Sequence, residues 1–182
     1  MDVNFYNPVQ TTPFKLKTKL YSYLWNFINT TIFRYSPNFC RKYRVMLLKL
    51  FGADIKWNTS VDRRALITHP WNLKIGSFSS LGENTWAYCL DKIIIGDKCC
   101  IGKDVYLLTG YHDLSSKFNL KTKKILIGSG VWISTGAYIL PGIRIGDFSV
   151  VGANSTITKD VVDSSVVAGN PAKFIKKREL NE

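Results

Sequence analysis

The sequence predicts a mainly β fold: a stack of about five triangular coils in which every side is one short strand. Three observations predict it. From Ile127 onward, Ile127, Ile133, Ile139, Ile145, Val151 and Ile157 recur six apart without interruption. A period of six fits neither a 3.6-residue helix nor a two-residue alternation, and a fixed internal repeat signals a solenoid. Secondly, the same register runs upstream in blocks of three, as Ile55, Val61, Ile67, then Ile75, Leu81, Ala87, then Ile95, Ile101, Leu107. Fourteen of the fifteen positions are Ile, Leu or Val, so one apolar row faces inward along the whole stack. Thirdly, three residues after these positions stand Asn58, Asn84, Asp104, Gly110, Gly130, Gly136, Gly142, Asn154 or Asp160. Gly, Asn and Asp tolerate positive φ at sharp turns. One residue further on the side chains are small, as at Thr59, Ala65, Ser79, Thr85, Cys99, Ala137, Ser149 and Ser155, which suits a tight inward corner.

The elements follow in order. Residues 1–13 are polar with Pro8 and Pro13 and read as a strap or loose arm. From Phe14 to Phe51 the pattern becomes helical, with Leu20, Leu24, Phe27 and Ile28 on one face and Tyr43, Leu47 and Leu50 on another. Ser36-Pro37 divides this stretch, with Ser36 placed to cap the second helix and Pro37 at its first position. The run Leu20–Phe33 is too short and too polar to span a bilayer. Two roles stay open for the pair. It either caps the first coil or packs on a neighbouring subunit, or it forms an interfacial surface of Tyr21, Tyr23, Trp25, Phe27 and Phe33 with Lys15, Lys17, Lys19, Arg34, Arg41, Lys42 and Arg44. Gly52 ends the helices.

Block starts at 55, 75 and 95 are twenty apart, two more than three hexads, so the early coils should bulge at one corner, near His69-Pro70-Trp71 and Cys89-Leu90-Asp91. The step from Ile95 to Ile127 has twelve residues beyond that, which places one excursion loop at 109–124. Insertions in repeat arrays map to binding faces. After Val162 the repeat pattern dissolves, and Lys173, Lys176, Lys177 and Arg178 form a basic tail. The expected organisation is an arm and helical cap over 1–52, the coil stack over 53–163 and a tail over 164–182.

Composition narrows the function. The chain has 182 residues, 46% of them apolar, which is enough for one real core. A net charge of +12 suits an anionic ligand or surface, and no nucleic-acid motif accompanies it. Cys40, Cys89, Cys99 and Cys100 show neither metal spacing nor a disulfide framework, so reduced thiols are expected. The start, MDVNFYNPVQ, lacks a basic stretch leading into an apolar core, so a cytoplasmic protein is expected.

The hexad repeat, the loop bearing TGYHD, the GVWIST coil and the terminal VVAGNPAKFIKK together resemble the hexapeptide-repeat acetyltransferases. The galactoside and maltose enzymes are similar, and the enzymes of colanic-acid and exopolysaccharide synthesis more so, through the aromatic N-terminal helices, LFGA and ITHPW. The resemblance covers nearly all of 14–178. It implies a left-handed winding, a homotrimer, and acetyl-CoA in clefts shared by adjacent chains. It implies direct transfer to a sugar or polysaccharide-precursor hydroxyl, with no metal.

Residue roles follow from the match. His112 sits at the family's TG-x-H position and is the candidate general base, because a sugar hydroxyl needs a base poised near the working pH. Asp113 is a candidate for orienting its ring. His69 lies at an early corner and reads as structural or as part of the acceptor pocket. Asn84 fits a turn, and the family also puts an amide on this coil near the acceptor. Where some members carry that amide, however, this chain has Gly82. The positions matching the acetyl-CoA cleft are Trp132, Ser134, Thr135, Gly152, Ala153, Thr158 and Lys159. Trp132 adjoins an inward Val131 and so faces outward, as expected at a subunit seam. Lys173 and Lys176 match tail positions that reach the nucleotide phosphates, while Lys177 and Arg178 read as solvated. Rival readings are a succinyl-CoA or acyl-carrier-protein donor on the same fold, a scaffold or membrane-surface binder without activity, and a zinc carbonic anhydrase. The last needs three histidines, and the chain has two.

Overall fold

The computed structural model describes residues 14–113 and 118–180; the expected arm over 1–13 lies outside them. Helix α1 (Leu16–Ile28) runs on through a π-helical turn (Asn29–Phe33), and α2 (Arg41–Leu50) follows. Gly52, at φ +86°, closes α2, and the chain enters the coils. The first coil is β1 (Asp54–Ile55), β2 (Ser60–Val61) and β3 (Leu66–Ile67). The second is β4 (Leu73–Ile75), β5 (Ser80–Leu81) and β6 (Trp86–Tyr88), and the third is β7 (Ile93–Ile95), β8 (Cys100–Ile101) and β9 (Tyr106–Leu108). An excursion hairpin, β10 (Gly110–His112) and β11 (Leu120–Thr122), precedes the fourth coil of β12 (Ile125–Ile127), β13 (Trp132–Ile133) and β14 (Tyr138–Ile139). The fifth coil is β15 (Arg144–Ile145), β16 (Val150–Val151) and β17 (Thr156–Ile157), and β18 (Ser165–Gly169) and β19 (Ala172–Lys177) end the chain.

Strands stack in parallel register into three faces. β1, β4, β7, β12 and β15 form the first, and β3, β6, β9, β14 and β17 the third. The second face runs β2, β5, β8, β13, β16 and on to β18, with β19 antiparallel at its end. This is the left-handed parallel β-helix expected. The inward row is buried throughout, from Ile55 at 0% to Ile157 at 1% exposed. The small corner residues are buried too, and several of them tie one coil to the next. Thr59 Oγ1 donates to Gly76 O at 2.9 Å, Ser79 Oγ to Gly96 O at 2.7 Å and Thr85 Oγ1 to Gly102 O at 2.9 Å. At the first of the two expected bulges the extra corner residues form a 3₁₀ turn, Pro70–Asn72.

Two expectations fail at the ends. The repeat does not stop at Val162. Val161 bridges Ile145 and Val167 pairs with Val151, so a partial sixth coil continues with a step of sixteen residues. The pattern looked lost because the fifth coil, from Ile145 to Val161, is two residues short of three hexads.

At the other end, the helices bury only Leu47 and part of Ile28 from the predicted faces. Leu20, Leu24 and Phe27 are exposed, as are Tyr43 and Leu50, while Trp25, Phe33, Arg44, Val45, Leu47 and Leu48 are buried. The open first coil explains this, because its unpaired backbone groups need partners. Each of its three strands receives them from a helix-borne side chain. Lys49 Nζ donates to Ile55 O at 3.0 Å, and Arg44 Nε to Val61 O at 2.8 Å. Asn29 Nδ2 donates to Ala65 O at 3.2 Å, its Oδ1 accepts from Ile67 N at 3.1 Å, and Trp25 Nε1 donates to Ile67 O. Ser36 does not cap α2, which starts at Arg41. Instead Ser36 Oγ donates to Phe33 O and accepts from Arg44 Nη1, so it serves the buried guanidinium.

His69 is buried at the corner after β3, edge-on to Trp71 at 5.0 Å and near Phe14 at 5.6 Å. Burial lowers its pKa from 6.5, so the fold holds it neutral. Below that ordinary value the unfolded chain binds a proton that the folded chain refuses, so stability contributed by the neutral ring is lost as pH falls below 6.5. On acidification from about pH 7.5 to 5.5, wild type should therefore lose more thermal stability than His69→Phe, which keeps the ring contacts. Parallel melting curves that shift equally would refute this assignment.

Candidate functional site

The excursion hairpin is rooted in the third coil. Thr109, fully buried, donates from Oγ1 to Tyr88 O at 2.6 Å and accepts from Asp91 N at 3.0 Å, while its carbonyl takes the Lys123 N–H at 2.8 Å. That base holds β10 and β11 as an antiparallel pair with His112 opposite Leu120. His112 is exposed, and its ring stacks on Phe118 at 4.4 Å and 7°. Nδ1 lies 2.9 Å from Phe118 O. A carbonyl only accepts, so Nδ1 carries the hydrogen and Nε2 keeps a free lone pair. Of the two histidines, His112 is the exposed one.

Asp113, expected beside this ring, is tied into the hairpin. Its Oδ1 accepts the Asn119 N–H at 3.0 Å and its Oδ2 pairs with Lys121 Nζ at 3.2 Å, which closes the hairpin. The ring is oriented by a backbone carbonyl, which no residue-type signal reveals. Asn84 sits at φ +55° and donates from Nδ2 to Asp104 Oδ1 at 3.1 Å, so it serves the turn. At Gly82 a Cβ would come within 2.6 Å of the Gly102 carbonyl, so the coils stack too closely for an Asn there. His69 lines a separate groove of about 340 Å³ against α1, with Phe14, Lys19, Tyr23 and Thr68. It follows β3 whereas the hairpin follows β9, two strands up the same face and so about 10 Å along the axis.

The remaining candidates divide between two corners. Ser134, Thr135, Gly152 and Ala153 follow second-face strands and stand at the corner leading to the third face. Thr158 and Lys159 follow β17 at the next corner, the one from which the hairpin leaves. There they line a cleft of about 220 Å³ with Ala172 and Phe174 of β19. Lys173 and Lys176 are exposed on that strand. The expectation of a solvated Arg178 is wrong: its Nη1 donates to Gly130 O at 2.8 Å and to Phe148 O at 3.0 Å, which pins the tail to a corner. Between the two corners the third face carries an aromatic ladder, with Tyr106 stacked on Tyr138 at 4.5 Å and Trp86 edge-on to Tyr106 at 6.0 Å.

Sequence reasoning missed a groove of about 520 Å³ along the second face, with Ser60, Ser80, Gly82, Cys100 and Gly102 on its floor and Arg41 and Lys103 on its walls. Lys103 and Arg64 hold the Glu83 carboxyl there below its usual range. A signal did exist. The outward residue before each inward one reads Ser60, Ser80, Cys100 and then Trp132, small until the fourth coil, where Trp132 is 49% exposed. Among the described residues, no three His, Cys, Asp or Glu side chains meet as a metal site.

Residues 124–159 match the bacterial transferase hexapeptide family of six repeats. The chain is 38% identical over 160 residues to WcaF of Escherichia coli (strain K12), named for acetyl transfer in colanic acid biosynthesis, covering 87% of this chain and 88% of that protein. It is 35% identical to galactoside O-acetyltransferase of the same organism over 143 residues, covering 76% and 70%. A galactoside acetyltransferase solved with coenzyme A superposes with a TM-score of 0.83 at 26% identity, over 92% of this chain and 86% of that one. A hexapeptide-repeat acetyltransferase of Vibrio cholerae O1 biovar eltor, solved with acetyl coenzyme A, shares the fold with a TM-score of 0.84 at 22% identity, over 98% and 100%.

Proposed function

Because the chain belongs to the hexapeptide-repeat acetyltransferases, we propose that it moves an acetyl group from acetyl-CoA to a hydroxyl of a sugar or exopolysaccharide precursor. The observation that carries this reading is the contact of His112 Nδ1 with Phe118 O, which in the neutral ring commits Nδ1–H to the carbonyl and leaves Nε2 to take a proton. His112 Nε2 removes the acceptor's hydroxyl proton as the oxygen bonds to the thioester carbonyl carbon. The tetrahedral centre then expels the thiolate by breaking its C–S bond, and the imidazolium returns the proton to sulfur. The products are an acetyl ester and free CoA, with no acyl-enzyme.

The donor lies along Trp132, Ser134, Thr135, Gly152 and Ala153, and its nucleotide end meets Thr158, Lys159, Lys173 and Lys176. Apart from Trp132 on β13 and the two lysines on β19, these residues occupy two corners with the aromatic third face between them. A homotrimer answers this arrangement, because side-by-side prisms set one chain's corner against its neighbour's hairpin, and ladder and Trp132 are then covered at the seam. The acceptor lies in the second-face groove, whose small floor admits a sugar ring.

The test is a mass-spectrometric screen of free, nucleotide-linked and lipid-linked sugars with acetyl-CoA, read as the gain of one acetyl on oxygen. Transfer to amines only, or none with any hydroxyl acceptor, would sink the reading. On the donor side, Lys173→Ala and Lys176→Ala should each raise the KM for acetyl-CoA about three- to tenfold at low salt, because Lys meets phosphate as a point charge. The difference should shrink in high salt. Unchanged KM in both would return these lysines to the solvated tail.

A further inference from the structure

The face of α1 turned away from the prism is apolar. At about 100° per residue, Leu16, Leu20, Tyr23 and Phe27 all lie within about 40° of the line opposite buried Trp25. Their exposures are 71%, 61%, 72% and 62%. Twelve of the 22 exposed large hydrophobic side chains among the described residues fall in the short stretch 16–50, so this end is where the molecule leaves apolar surface uncovered.

Charge is distributed in the same way. Residues 14–51 hold eight of the 25 Lys and Arg and none of the 13 Asp and Glu. Arg44 and Lys49 are used on the first coil. Lys15, Lys17, Lys19, Arg34, Arg41 and Lys42 take part in no ion pair among the described residues. Lys17 and Lys19 flank the apolar stripe on its two sides, where their stems can lie along it and their ammonium groups beyond it. No helix among the described residues is long and apolar enough to cross a membrane, and α1 has 13 residues, so this surface can lie on a bilayer without spanning it.

We propose that the outward face of α1 docks on an anionic lipid bilayer, with Leu16, Leu20, Tyr23 and Phe27 in the interface and the lysines against the head groups. The charge decides against a second copy of the chain on this face, since two such helices would bring like charges together with no acid between them. The reading is independent of the acetyl-transfer chemistry.

The full-length protein is sedimented with vesicles of phosphatidylcholine alone and of phosphatidylcholine mixed equally with phosphatidylglycerol. It should pellet with the mixed vesicles only, and release as NaCl rises from about 0.05 to about 0.5 M. Leu20→Glu/Phe27→Glu should weaken partitioning at least about tenfold while keeping the wild-type melting point and acetyl transfer to a soluble acceptor. Lys17→Ala/Lys19→Ala should weaken it with a shallower salt dependence. Absence of binding to mixed vesicles overturns the proposal, as does full binding by a correctly folded Leu20→Glu/Phe27→Glu. Loss of oligomeric mass in that variant, without vesicle binding by wild type, would assign the face to a second copy. Vesicle binding that appears only when residues 1–13 are removed would assign it to that segment.

Discussion

His112→Ala is expected to lower kcat for acetyl transfer by about 10²–10⁴-fold, the usual worth of a positioned acid–base group. Acetyl-CoA affinity should hardly change, because the hairpin carrying His112 leaves after β9, two strands below Lys159 on the same corner, and Lys173 and Lys176 lie on β19 at the end of the stack. Single-turnover assays of CoA release, with donor binding measured by calorimetry, separate the two effects. No acetylated protein should accumulate in a quench. His112→Ala with near-normal turnover and His69→Ala without activity would move the catalytic corner two coils down. The structure argues against that outcome, since His69 is buried among aromatic rings whereas His112 presents an uncommitted nitrogen.

The second large effect concerns stability. Trp25→Ala should destabilise the fold by about 3–5 kcal/mol, the cost of emptying a large aromatic site in a packed core. Trp25 is fully buried, packs on Phe51 at 5.0 Å and Phe33 at 6.0 Å, and its indole N–H satisfies Ile67 O. Trp25→Phe separates the two contributions: it keeps most of the packing, and its remaining cost of about 1–3 kcal/mol reports the orphaned carbonyl. Urea titrations read both variants. A loss below about 1 kcal/mol for Trp25→Ala would mean that the helices ride on the prism without capping it.

The prism itself was legible. Every inward position from Ile55 to Ile157 was visible in the sequence, because a solenoid core is a one-dimensional register that the chain spells out directly. The buried helix face was not. Hydrophobic periodicity selected Leu20, Leu24 and Phe27, but the open coil demanded hydrogen-bond donors and recruited Trp25, Asn29, Arg44 and Lys49. A pattern of apolar residues carries no information about carbonyls that need partners elsewhere. The sixth coil was hidden by a two-residue shortening that still keeps Val161 and Val167 six apart. At the site, the motif pointed to His112, and its partner stayed invisible because that partner is a backbone oxygen on the far arm of a hairpin. Arg178 was misread for the same reason, its acceptors being the carbonyls of Gly130 and Phe148.

The capped first coil also sets an order of events during synthesis. Both helices leave the ribosome before any strand they cover, so neither has its acceptors when it first appears. Lys49 finds its carbonyl six residues later and Arg44 seventeen residues later, whereas Asn29 and Trp25 wait for partners 36 and 42 residues downstream. Separation in sequence is what slows a contact. The second helix therefore settles first, on a coil still being completed. The first helix, emerging earliest, is the last of the two to dock, and until then the open side of the first coil is exposed to neighbouring nascent chains.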